Sequence, residues 1–110
     1  MKKGMIKLSA FYPNGEGKTF DMDYYRHRHI PMVAELLGNY CKGANVETGL
    51  AGLEPDTPAP YAACGHLYFD SMSDLQNSFG ANLEQIAGDV PNFTNTQPVV
   101  QIAEVVMRKP

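Results

Sequence analysis

The side chains with a capacity for chemistry fall in two short runs. His29 stands four residues after Tyr25 in residues 19–38 (TFDMDYYRHRHIPMVAELLG), and His66 stands two after Cys64 in residues 61–70 (YAACGHLYFD). His29 reads as a general acid/base one helical turn from Tyr25, acting on a small carbonyl or lactone. The competing reading is a core histidine bonded to a backbone carbonyl freed near Pro31. Tyr25 likewise divides between catalysis and packing, since a buried tyrosine needs only one partner for its hydroxyl. Cys64 and His66 suggest a nucleophile with its base, and His66 is the weaker catalytic candidate. No orienting third group is visible beside them, and a small buried cysteine is commonly a packing residue. Metal chemistry has little support, because His27 and His29 diverge on a helix and no His or Glu pair at i, i+4 opens toward the apolar side.

These groups need elements to hold them. At about 100° per residue, Met22, Tyr25, His29, Met32, Val33 and Leu36 share one helical stripe, with Asp23, His27, Ala34 and Glu35 opposite. Asp21 is placed to cap the first turn, and Phe20 and Tyr25 are spaced as a hydrophobic staple. Gly38 suits the C-terminal cap. Pro31 lacks an amide donor and presses on the carbonyl of His27, which predicts a kink. On the strand, alternation puts Cys64, His66 and Tyr68 on one face and Ala63, Gly65, Leu67 and Phe69 on the other. With Phe69 toward the helices, Gly65 leaves a gap opposite His29, and Tyr25, Met32 and Phe79 complete a pocket for a small organic ligand.

Residues 5–12 read as the first strand, residues 42–51 as a weak second, residues 61–70 as the third and residues 99–107 as the last. The segment LEPDTPAP, 53–60, holds three prolines and is a loop. Residues 73–76 have capping-box spacing and open a helix striped by Leu75, Phe79, Leu83 and Ile86, which Gly80 breaks and Asn82 recaps as far as Gly88. Residues 89–97 form a loop. Strand, helix, strand, strand, helix, strand is the order of a ferredoxin-like α+β sandwich, with helices on one face of an antiparallel four-stranded sheet. The last strand, VVQIAEVVM, is apolar on both faces, so the uncovered sheet face needs a second cover. A homodimer packed sheet to sheet supplies it.

Composition sets the outer bounds. A chain of 110 residues is one domain, 1–110, with enough length to bury a core. Its net charge of −3, with no basic stripe, argues against nucleic acid as a partner. The N-terminus shows neither a signal peptide nor a membrane span. Two cysteines without a CxxC pattern point to a reduced, cytoplasmic setting. The absence of GxGxxG and P-loop motifs implies no nucleotide cofactor, and His29 is the sole candidate for an axial haem ligand, so no cofactor is expected.

FYP at 11–13, the run F-D-x-D-Y-Y-x-x-x-H-x-P-M from 20 to 32, HLYFDS at 66–71 and DVPNFT at 89–94 together resemble the EthD family of dimeric α/β-barrel proteins. The likeness covers nearly the whole chain. It implies a ferredoxin-like protomer that dimerises through its sheet, and it matches His29 to the family's helix histidine. The family takes its name from a protein required for bacterial degradation of ethyl tert-butyl ether, where it accompanies an oxygenase system. Relatives on this barrel carry out several unrelated reactions, so the fold chooses none of them.

Overall fold

The computed structural model describes residues 2–110. Strands β1 (Ile6–Pro13), β2 (Gly43–Thr48), β3 (Tyr61–Phe69) and β4 (Val99–Glu104) form one antiparallel sheet in the order β2-β3-β1-β4. This is the ferredoxin-like topology predicted from the order of elements. In the register, Leu8 lies opposite Leu67 and Ile102, while Ser9 lies opposite His66 and Gln101. The pleat therefore sends Leu8, Ala10, Tyr12, Ala63, Gly65, Leu67 and Phe69 to the helix side and Ser9, Phe11, Cys64 and His66 to the other.

The first helix is three pieces in series: α1 (Met22–Tyr24), a π-helical turn (Tyr25–His29) and α2 (Ile30–Leu37). Asp21 caps it, its carboxylate accepting from the Tyr24 amide at 3.0 Å. The kink expected at Pro31 takes the form of the π turn. The ladder slips by one residue just before the proline, and the Ile30 amide donates to the Tyr25 carbonyl. The slip keeps Tyr25 and His29 on the sheet side, where they are only 2% and 3% exposed. Gly38 closes the helix at φ 54°, a conformation that glycine adopts without strain.

The second helix begins two residues earlier than its capping-box pattern implies. Ser71, extended as it leaves β3, caps α3 (Met72–Ser78) by accepting from the Asp74 amide at 3.1 Å, and Ser73 lies inside the first turn. Gly80 does break the helix, into a 3-10 turn (Gly80–Asn82) followed by α4 (Leu83–Gly88). Asn82 precedes α4 without capping it; its side-chain amide donates back to the Ser78 carbonyl at 2.7 Å. Between helices and sheet, Leu8, Leu67 and Phe69 pack against Val33, Leu37, Leu75 and Ile86. Burying each such side chain contributes roughly 1.5–3 kcal/mol.

β4 ends at Glu104 rather than Met107, because its partner β1 begins at Ile6. Val106 and Met107 consequently stand free of the sheet and are exposed. Val99, Val100 and Ile102 are also about half exposed, since β4 is an edge strand. Among the described residues no helix is long and apolar enough to cross a membrane.

Candidate functional site

His29 is oriented by a residue distant in sequence. Its Nδ1 lies 2.8 Å from Oδ2 of Asp89, which follows directly on α4. The other oxygen, Oδ1, accepts from the Tyr24 hydroxyl at 2.8 Å and from the Asn92 side-chain amide at 2.8 Å. Burial alone would raise the Asp89 carboxyl, but the donors Asn92, His29 and Tyr24 outweigh it and hold the group below 3.8. A carboxylate accepting at Nδ1 puts the ring proton on that nitrogen and leaves Nε2 as a lone pair. Burial is the largest influence on His29 itself and lowers its pKa below 6.5, with Asp89 opposing. At neutral pH the imidazole is therefore an uncharged base with a carboxylate behind it.

Aromatic rings fix its plane. His29 stacks on Tyr25 with centroids 5.4 Å apart and an interplanar angle of 15°, and Phe93 lies 4.6 Å away. Tyr25 in turn meets Tyr12 edge-on at 5.4 Å. Burial pushes the Tyr12 hydroxyl up to about 12 and the Tyr25 hydroxyl higher still, each acting on the other. Both remain phenols at any physiological pH.

These rings border a cavity of about 230 Å³ between the helices and the sheet. Tyr12 and Ala10 come to it from β1, Tyr25, His29 and Val33 from the first helix, Gly65 and Leu67 from β3, and Phe79 and Ile86 from the second helix. His29 Nε2 has no hydrogen-bond partner among the described residues. A wider depression bordered by Thr19, Asp21, Asn92 and Asn95 lies on the surface and contains no buried titratable group.

Of the residues singled out from the sequence, Tyr25, His29, Gly65 and Phe79 line the cavity and Met32 does not. Met32 is half-buried against the main core, because the slipped helix turns Val33 toward the sheet in its place. The gap expected at Gly65 is partly filled: a methyl group there would collide with the Tyr25 hydroxyl. His66 lies on the opposite sheet face, and its partners are not Cys64. Ser9 Oγ is 2.7 Å from Nδ1 and Glu47 Oε1 is 3.1 Å from Nε2. Burial, then the Glu47 charge, raises the Cys64 thiol, the reverse of what a thiolate nucleophile needs. Among the described residues no cluster of three His, Cys, Asp or Glu side chains is placed to hold a metal ion.

Sequence reasoning missed Asp89, Tyr12 and Tyr24. The only signal for Asp89 was its place at the head of DVPNFT, a polar residue opening a loop after an amphipathic helix.

Two helices in one layer on one face of a β2-β3-β1-β4 sheet define a ferredoxin-like α+β domain with a cavity under its first helix. The family model for the EthD domain matches residues 14–97, and the chain belongs to the EthD family. An EthD-like protein from Ralstonia eutropha is 39% identical over 98% of this chain and 97% of its own, with a TM-score of 0.89. An ethyl tert-butyl ether degradation (EthD) family protein from Bacillus halodurans is 20% identical, covers 91% and 97% of the two chains, and has a TM-score of 0.69. A dimeric protein of ferredoxin-like fold from Bacteroides fragilis shares the fold at 12% identity, 94% and 99% coverage and a TM-score of 0.57. Comparison with curated proteins gives no significant match.

Proposed function

We propose that this protein is a cytoplasmic homodimer that binds one small, mostly apolar organic molecule per protomer. It serves a step of organic-compound catabolism, with His29 as a cofactor-free general base. The reading is carried by the His29–Asp89 pair set against an apolar cavity. A cavity of 230 Å³ equals about seven or eight water volumes, the scale of one small organic molecule. A purely non-catalytic carrier would use the same space, but it has no need of a buried histidine whose free nitrogen is kept basic by an aspartate with three donors of its own. The dimer is supported by the uncovered sheet face and by the exposed Val99 of β4, which lies on it.

Titration calorimetry with 2-naphthol tests the site. The wild-type protein binds one molecule per protomer, and Val33→Trp, which fills the cavity, abolishes binding. Undiminished binding by Val33→Trp would overturn the assignment. Lost turnover with retained binding in His29→Ala supports catalysis, whereas unchanged turnover removes His29 from the mechanism.

A further inference from the structure

We infer that the cavity is built for a neutral ketone with an acidic neighbouring C–H, whose carbonyl oxygen is held by the Tyr12–Tyr25 hydroxyl pair while His29 moves the proton. This rests on the reading of the cavity as a ligand site and adds the ligand's class and the group that binds its oxygen.

The argument begins with charge. The walls carry no Lys, Arg, Asp or Glu, and their polar side chains are Tyr12, Tyr25 and an uncharged His29. A carboxylate or phosphate brought into such a space would lose its hydration with no cation to compensate, a cost of several kcal/mol per ion. The ligand is therefore neutral.

The hydroxyl pair then supplies what a carbonyl needs. The two phenols line one cavity with their rings 5.4 Å apart and own two protons; even a bond between them would use only one, so one O–H always remains to donate elsewhere. Both side chains line the cavity. Their position is built in by the bare α-carbon of Gly65, since any side chain at that point would displace the Tyr25 hydroxyl. Burial keeps both groups protonated, so each retains an O–H to donate at neutral pH.

Base and donor together define one reaction. His29 Nε2 removes a proton from the carbon next to the carbonyl. The C–H electron pair becomes a C=C bond, and the carbonyl π pair moves onto oxygen, where the free phenol O–H holds the enolate. Asp89 stabilises the imidazolium, which returns its proton to the same carbon or, in an unsaturated ketone, to the carbon two positions further along. The sequence is redox-neutral and needs no co-reactant. Protonated donors in an apolar site that hold an enolate beside a separate base are a known solution to this problem.

The test follows deuterium entering 2-tetralone in heavy-water buffer by proton NMR. The wild-type protein accelerates wash-in beside the carbonyl at least tenfold over buffer, and His29→Gln abolishes the acceleration. Tyr12→Phe removes one oxygen and keeps the ring; it lowers the rate at saturation by roughly 10²-fold while affinity changes less than threefold. Should Tyr12→Phe fail to fold, Tyr25→Phe gives the same separation. Exchange at the wild-type rate in both phenol variants overturns the inference, as does binding of 2-naphthoate as tight as that of the ketone. If 2-naphthol binds but tetralone gains no deuterium, the ketone inference fails and the ligand site stands. If neither binds, both fall.

Discussion

The Tyr25 hydroxyl is seated on the α-carbon of Gly65, where β3 passes beneath the π-helical turn. A methyl group at position 65 would also come within 3.3 Å of the Tyr25 ring carbon Cζ. Gly65→Ala is therefore expected to cost about 1–3 kcal/mol by overpacking, seen as a fall in Tm of roughly 5–15 °C. Tyr25→Phe removes the atom that clashes. The double variant Gly65→Ala/Tyr25→Phe should recover most of the loss that Gly65→Ala causes alone. Simple addition of the two single effects would show that the contact does not limit packing there.

Asp89→Asn tests how the dyad is oriented. The amide keeps the shape of the carboxylate but brings a donor where His29 Nδ1 now gives its proton. The ring then carries its proton on Nε2 and offers the cavity a donor in place of a base. Turnover should fall by about 10²–10⁴-fold with ligand binding nearly intact. Loss of charge-assisted bonds from Tyr24 and Asn92 should also cost roughly 1–3 kcal/mol of stability. Nitrogen-15 chemical shifts report the tautomer directly. A wild-type ring already protonated on Nε2 would defeat the explanation.

The fold was legible because its signals are local: alternation in β1 and β3, the 3.6-residue stripe, and glycine or proline at the breaks. Pro31 announced a disturbed helix, yet whether the disturbance would be a bend or a π turn depends on how Tyr25 and His29 pack on the sheet. That choice decided against Met32 and for Val33 as the lining residue. His29 could be placed toward the cavity from its stripe alone. Asp89 could not be joined to it, because 60 residues of chain separate them and only the closed fold brings α4 beside the π turn. The gap at Gly65 was read with the right face and the wrong occupant, since a glycine marks close approach without saying which atom approaches.

Stability should fall on acidification, with the two members of the dyad acting in successive windows. His29 is held below 6.5 in the folded protein, so the unfolded chain takes up that proton first. Stability is complete above 6.5 and declines as pH falls from there toward the folded value, where the loss saturates. Asp89 is held below 3.8; its contribution is present above that value and is lost as pH falls toward its folded value. Calorimetric Tm measured against pH should show both declines in the wild type. His29→Gln should remove the first and leave the second. An unaltered profile in His29→Gln would mean that His29 titrates alike in folded and unfolded chains.

The uncovered sheet face makes the last prediction. Val99 pairs with Phe11 across the β1–β4 ladder, and both point away from the helices. Val99 is 53% exposed on that face. In a two-fold sheet-to-sheet contact the patch meets its own copy, so one substitution acts twice. Light scattering at micromolar concentration should give twice the chain mass of 12.1 kDa for the wild type. Val99→Arg would bring two like charges into the contact and is expected to yield the single-chain mass, with far-ultraviolet circular dichroism unchanged because the residue supports nothing within its own protomer. A wild-type protein that scatters as a single chain would remove the dimer from the proposal, and a Val99→Arg variant that stays dimeric would move the contact to another surface.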